Sequence, residues 1–258
     1  MYVAYGLVFF RDLIYVSNTK LFDSPTKMKN LNSLMNFLHV IMDKIILAKR
    51  FQIPNPEERI REYLRVEIFR GYDDKHAIDN IISQKDIRAA NQLFARIGQE
   101  TAKRLQTSSQ LQNILSEVKN EGIGELSPNK WIIVKNQMNS LLKTACAING
   151  VGLAVATKIL HLKRPKLIPI LDSFVIKLLT GHNITSANKL SLPQIGVDTM
   201  EIIREDLIEY HEEFDNLSEI FYEPIPLEKI RIYDILAWST EKWDIQGNTM
   251  APYGKATT

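Results

Sequence analysis

Residue types and spacing first suggest chemistry in the stretch Ile148-Asn-Gly150-Val151-Gly152-Leu-Ala154-Val-Ala156-Thr-Lys158-Ile159-Leu160. Gly150 and Gly152 bracket one apolar residue, and the small Ala156 follows four places later. Two glycines permit a tight turn whose backbone can come close to a partner, and a helix starting there offers unpaired N–H groups. Such a turn cradles a phosphate. Ala156 lets two helices approach, while Ile148, Val151, Ile159 and Leu160 can pack the turn on a core. A plain glycine turn between core helices would explain the glycines alone; here the small and apolar positions agree as well. Twenty residues after Gly152 stands Asp172, in Pro169-Ile-Leu-Asp172-Ser-Phe-Val-Ile-Lys177. Its carboxylate suits a helix N-cap, which is compatible with a second, chemical role. Lys158 lies on the helix after the turn, where a lysine reads as a solvated charge, with a nucleophilic amine as the alternative.

These residues need helices to hold them. Leu31 to Phe51 carries apolar residues at three-and-four spacing and predicts one amphipathic helix. Pro54 and Pro56 end it, and Pro56-Glu-Glu58 starts another through Ile60 and Leu64. Ser83-Gln-Lys-Asp86 resembles a capping box and predicts a helix through Ala89, Leu93 and Ile97. A short helix is expected at Ser108 to Val118, a break at Gly122-Ile-Gly124, and a helix from Ser127-Pro128 to Ala147 that leads into the glycine turn. Further helices are expected at Asp172 to Leu179, Thr199 to Phe214 and Leu227 to Trp238, with no sustained strand pattern. Asn248 to Thr258 reads as a loose tail.

Glycine turn and proline-led aspartate together resemble the helix-hairpin-helix-GPD superfamily of base-excision DNA glycosylases, over about Asn139 to Gly181. The resemblance implies an all-α, two-lobed fold with a helix-hairpin-helix motif. Residues 75–165 would form a central helical domain ending in the hairpin, and 1–74 with 166–258 the opposing lobe. It implies a double-stranded DNA partner held at the backbone by Gly150, Val151 and Gly152, and Asp172 as the catalytic carboxylate at the cleft mouth. A carboxylate belongs there because breaking an N-glycosidic bond leaves positive charge on the sugar. Lys163, Arg164 and Lys166, between hairpin and aspartate, would hold flanking phosphates. Tyr233-Asp234-Ile-Leu-Ala-Trp238 is similar to a C-terminal helix of archaeal 8-oxoguanine glycosylases. There an aspartate and a tryptophan contact the base, so Asp234 and Trp238, on one helix face at i and i+4, become base-pocket residues; a core tryptophan is the plainer alternative. The family also implies a monovalent cation at the hairpin carbonyls.

Two departures from the pattern limit what the resemblance implies. Residue 154 is alanine where bifunctional members carry the lysine that forms a Schiff base, so a monofunctional enzyme without lyase activity is expected. Cysteines for the iron–sulfur cluster of many members are missing, since Cys146 is the single cysteine. That count also excludes an internal disulfide and suggests a reducing compartment. His39, His76, His161, His182 and His211 show no metal-ligand spacing, and there is no phosphate-binding Walker loop, dinucleotide fingerprint or nucleophile elbow. No cofactor beyond the cation, no side-chain metal site and no nucleotide cofactor is therefore expected.

The whole chain fits this frame. Its 258 residues are 45% hydrophobic and 24% charged, ordinary globular proportions, and the net charge of +2 leaves the nucleic-acid question to local clustering. No segment reaches the roughly 18 uncharged apolar residues of a membrane span, and Met1 to Phe10 lacks the marks of a signal peptide. A cytoplasmic protein without a membrane partner is expected. The alternative to an enzyme is a non-catalytic helix-hairpin-helix module that binds DNA or assembles a complex.

Overall fold

Prolines and side-chain caps decide where most helices begin. The computed structural model describes residues 45–73, 78–184, 190–222 and 226–245. A small antiparallel hairpin, β1 (Ile45–Leu47) and β2 (Phe51–Ile53), comes first, with Ile45 opposite Ile53 and Leu47 opposite Phe51. Every later element among the described residues is helical. Pro56 opens α1 (Pro56–Arg65), with Glu57 and Glu58 complementing the dipole of its first turn. A single turn, α2 (Glu67–Arg70), continues the chain. Ser83 and Asp86 form the capping box of α3 (Gln84–Gln92), each side chain accepting from the other's backbone N–H.

α4 (Gln99–Thr107) and α5 (Ser109–Glu117) follow, the latter capped by Ser108. After a 3₁₀ turn at Ile123–Glu125, Ser127 caps α6 (Pro128–Ala147) at Lys130 N. The remaining elements are α7 (Leu153–Lys163), α8 (Ser173–Thr180), α9 (Leu192–Glu209), α10 (His211–Ile220) and α11 (Lys229–Ser239), which runs into a π-helical turn at Thr240–Ile245.

Two helices are buried nearly all round, their charged residues included. α7 packs against α3 and α6, and α11 against α1, α8 and α10. α9 lies along α6 and also meets α8. One continuous core runs through these elements, from Ile45 to Ala237. No described helix is long and apolar enough to cross a membrane.

Three expectations are corrected. The helix predicted from Leu31 to Phe51 is not present over 45–51, where the chain forms the β-hairpin; residues 31–44 lie outside the described residues. Ala48 and Lys49 both take positive φ, as a primed hairpin turn requires, without the asparagine or glycine that would have signalled it. Asp206 then accepts from Ala48 N at 2.7 Å and ties the turn to α9. The helix predicted through Ile97 stops at Gln92 because Phe94 and Arg96 adopt positive φ. The helix expected over Thr199 to Phe214 is two helices that meet at Tyr210. The tail expected at Asn248 to Thr258 lies outside the described residues.

Candidate active site

The turn between α6 and α7 is built by Gly150. Its φ of +86° lies in the left-handed region, and a Cβ there would collide with the Thr101 hydroxyl. Val151 N donates to Ile148 O at 3.0 Å, closing the turn, and Val151 is buried beneath it. Gly152 has an ordinary extended backbone, and a Cβ on it would meet nothing within 4 Å. It precedes α7 with no side-chain cap. The first-turn N–H groups of α7 therefore begin beside open space, the arrangement an anion needs.

From the far end of α7 the chain returns as an extended strap whose backbone groups are satisfied one by one. Ile168 O is bonded by His161 Nδ1 at 2.7 Å, Leu171 N donates to Thr157 Oγ1 at 3.0 Å, and Ile170 N donates to Asp234 Oδ2 at 2.9 Å. The strap is thus fixed to α7 on one side and α11 on the other, and it delivers Asp172 to the start of α8. Asp172 Oδ1 accepts from Phe174 N at 2.9 Å and Val175 N at 3.0 Å, a bidentate N-cap. Its Oδ2 accepts no hydrogen bond among the described residues.

Asp172 faces a cavity of about 400 Å³, a size typical of small-ligand sites. Tyr63, Phe69 and Trp238 form one wall. Tyr63 and Phe69 stack at 4.7 Å, and Trp238 meets both edge-on at 6.0 and 5.8 Å. Phe94, half exposed, and Phe174 also line it. Ala154 and Lys158 enter from α7, Arg231 and Asp234 from α11, and Lys242 from the π-helical turn, its ammonium 4.2 Å from the Phe174 ring centroid.

Burial is the largest influence on these charges. It raises the Asp172 pKa above the usual carboxylate range, although the Val175 and Phe174 amides, Lys158 and Lys242 pull the other way. Asp234, 2% exposed, has no ion-pair partner among the described residues, and Arg231 gives its Nε to Asp73 at 2.6 Å and an Nη to the Tyr63 hydroxyl. Asp234 Oδ1 has no hydrogen-bond partner among the described residues, and burial pushes this carboxyl well above its ordinary range. Lys158 is 9% exposed and donates from Nζ to Leu93 O at 2.7 Å; burial lowers its pKa against the pull of Asp172.

The structure brings Asp172, Asp234 and Trp238 to one cavity, close to the Gly150–Gly152 turn. Lys163 and Arg164 do not join them. Lys163 is 1% exposed and its ammonium sits between Asp86 at 2.7 Å and Asp79 at 2.9 Å. Arg164 is buried, donating to the carbonyls of Val118 and Leu115 at 2.5 and 2.6 Å. Both hold the interior together and cannot meet phosphates without breaking it. Lys166 is exposed, but an eleven-residue helix places it roughly 16 Å or more from the glycine turn. Lys158, read from sequence as a solvated charge, is buried instead. Its signal was the apolar environment on every side of α7, which leaves that helix no solvent face for it.

The matched pattern of one protein family spans residues 46–241, most of the chain and nearly all of this cavity. The chain belongs to the DUF6308 family, a family of unknown function. No curated protein and no solved structure matches it. The family's span takes in the glycine turn, Lys158, Asp172, Asp234 and Trp238 and ends one residue before Lys242. Among the described residues no group of three histidine, cysteine, aspartate or glutamate side chains could hold a metal ion.

Proposed function

We propose that this chain is a glycosylase-like DNA-binding protein that hydrolyses the N-glycosidic bond of a base flipped out of double-stranded DNA. The observation that carries the reading is Asp172. One oxygen is locked by two helix N–H groups while the other is unengaged, in an aromatic-walled cavity that includes the first turn of α7. The all-α, two-lobed glycosylase architecture with a helix-hairpin-helix belongs to the same proposal, as does the DNA backbone at Gly150, Val151 and Gly152. A monovalent cation at the hairpin would share carbonyls already in use, since Ile148 O accepts from Val151 N and Asn149 O from Thr101 Oγ1.

The chemistry follows from placement. A flipped base would stack beside Trp238 and reach Asp234, as flipped bases are held by aromatic faces and polar edges. As the bond from C1′ to the base nitrogen breaks, its electron pair leaves with the base and positive charge develops on the sugar. The Asp172 carboxylate stabilises that charge and takes a proton from the water that adds to C1′. Burial makes the stabilisation larger because the local dielectric is low.

The test is incubation of the protein and its Asp172→Asn variant with duplexes carrying uracil, 8-oxoguanine, hypoxanthine or alkylated bases, scoring free base. Base release that falls about 10²-fold or more in the variant, with DNA affinity retained, is the expected result. Salt-sensitive binding by both proteins with no release from any duplex would leave the non-catalytic DNA-binding module instead. The release rate should also fall as pH drops through the raised Asp172 pKa, at a higher pH than an ordinary carboxylate would give.

A further inference from the structure

Asp234 is the polar group of the cavity that the fold leaves half used. Its Oδ2 accepts from Ile170 N at 2.9 Å, whereas Oδ1 is buried and has no partner among the described residues. A buried carboxylate with one oxygen neither solvated nor bonded is costly, and a proton on that oxygen removes the charge. The surrounding groups do not prevent this. Arg231, on the same helix, is committed to Asp73 and the Tyr63 hydroxyl, while Asp172 and Asp73 oppose a further negative charge. Tyr233 gives its hydroxyl to Asp206. Because Oδ2 already faces an N–H, the proton sits on Oδ1, and Asp234 presents one O–H donor at the cavity.

We propose that this cavity takes a nucleobase that turns a carbonyl edge toward Asp234, and that the bases it admits are the deamination products of adenine and cytosine, hypoxanthine and uracil. This rests on the base-pocket reading above, but not on base release. Deamination replaces an exocyclic amino donor with a carbonyl acceptor. Against the Asp234 O–H, the amino group of adenine or cytosine would set donor against donor and leave both unpaired away from water. The carbonyl of hypoxanthine or uracil accepts instead, while the ring lies beside Trp238. A cavity of about 400 Å³ is large enough for a one-ring or a two-ring base. In a duplex the same two bases mispair with the partner of the parent base, so they cost less to extrude than guanine or thymine in a matched pair.

The experiment titrates the full chain with free hypoxanthine, adenine, uracil and cytosine at neutral pH by ligand-observed NMR, which needs neither DNA binding nor catalysis. Hypoxanthine should bind about tenfold or more tightly than adenine, and uracil than cytosine, as one mismatched buried hydrogen bond requires. Asp234→Asn should keep both preferences, because its amide oxygen can accept from Ile170 N–H and its NH₂ then donates where the O–H did. Asp234→Leu, which has no donor, should lose them. The wild-type comparison stays decisive even if a variant fails to fold. Adenine and cytosine bound as tightly as their deaminated counterparts, binding of none of the four, or loss of the preference in a folded Asp234→Asn overturns the proposal. Base release from any duplex without the carbonyl preference would remove this inference and leave the glycosylase reading, whereas the preference without release from any duplex would do the reverse.

Discussion

At the residue scale, the same amino acid does opposite work depending on what surrounds it. Lys158 and Lys163 both lie on α7, both buried, but Lys163 meets two carboxylates and Lys158 meets a carbonyl and a cavity. A buried ion pair deprived of one member leaves an uncompensated charge, so Lys163→Met should destabilise the fold by about 3–5 kcal/mol, chiefly through stranded Asp86. Thermal melts check this, and an unchanged midpoint would refute it. Lys158→Met removes a charge that has no partner carboxylate in contact among the described residues and should cost far less. The sequence read Lys158 as a solvated charge and Lys163 and Arg164 as phosphate-holding cations, all three at the surface, because spacing reveals which residues share a helix face and not whether a neighbouring helix covers that face. Asp172 was more legible. Its role as a cap is local, written into residues 172–175, and the two hydrogen bonds form as expected.

At the scale of elements, the turn from α6 to α7 separates two uses of glycine that look alike in sequence. Gly150 is needed for shape: alanine there meets a left-handed backbone cost of about 1–2 kcal/mol and collides with Thr101. Gly152→Ala meets neither obstacle. Gly150→Ala should therefore lower the melting temperature by several degrees, while Gly152→Ala should melt like the wild type and, if the turn holds a phosphate, bind duplex DNA more weakly. Weakened DNA binding by neither variant, with both folded, would remove the turn from the interface. The same scale shows where sequence ran out. Helices opened by proline or a serine cap, such as α1, α3, α5 and α6, start where their residues say, because a cap is a contact between neighbours in the chain. The β-hairpin and the early end of α3 were illegible because ordinary residues, Ala48, Lys49, Phe94 and Arg96, are held at positive φ by their surroundings. The strap that positions Asp172 depends on Thr157 and Asp234, which are distant in sequence and carry no local mark of that task.

At the scale of the whole molecule, α11 couples the site to stability. Arg231 is committed to Asp73 and Tyr63, leaving Asp234 buried beside one backbone N–H. Its folded pKa is raised well above that of the unfolded chain, so the folded protein holds this proton more tightly than the unfolded one. The stability this carboxyl contributes is fully present below the unfolded value of about 3.9 and is lost as pH rises toward the folded pKa. Asparagine has the neutral carboxyl's shape and can accept from Ile170 N–H through its oxygen, but it does not titrate. The stability of Asp234→Asn relative to the wild type should accordingly grow as pH is raised from 4 to 7, read from thermal or denaturant unfolding at each pH. A difference that stayed constant across that range would mean that Asp234 is ionised in the folded protein and that Arg231 serves it as well as Asp73. In that case the cavity floor would carry a fixed negative charge, and the polar edge of any base it admits would have to donate rather than accept.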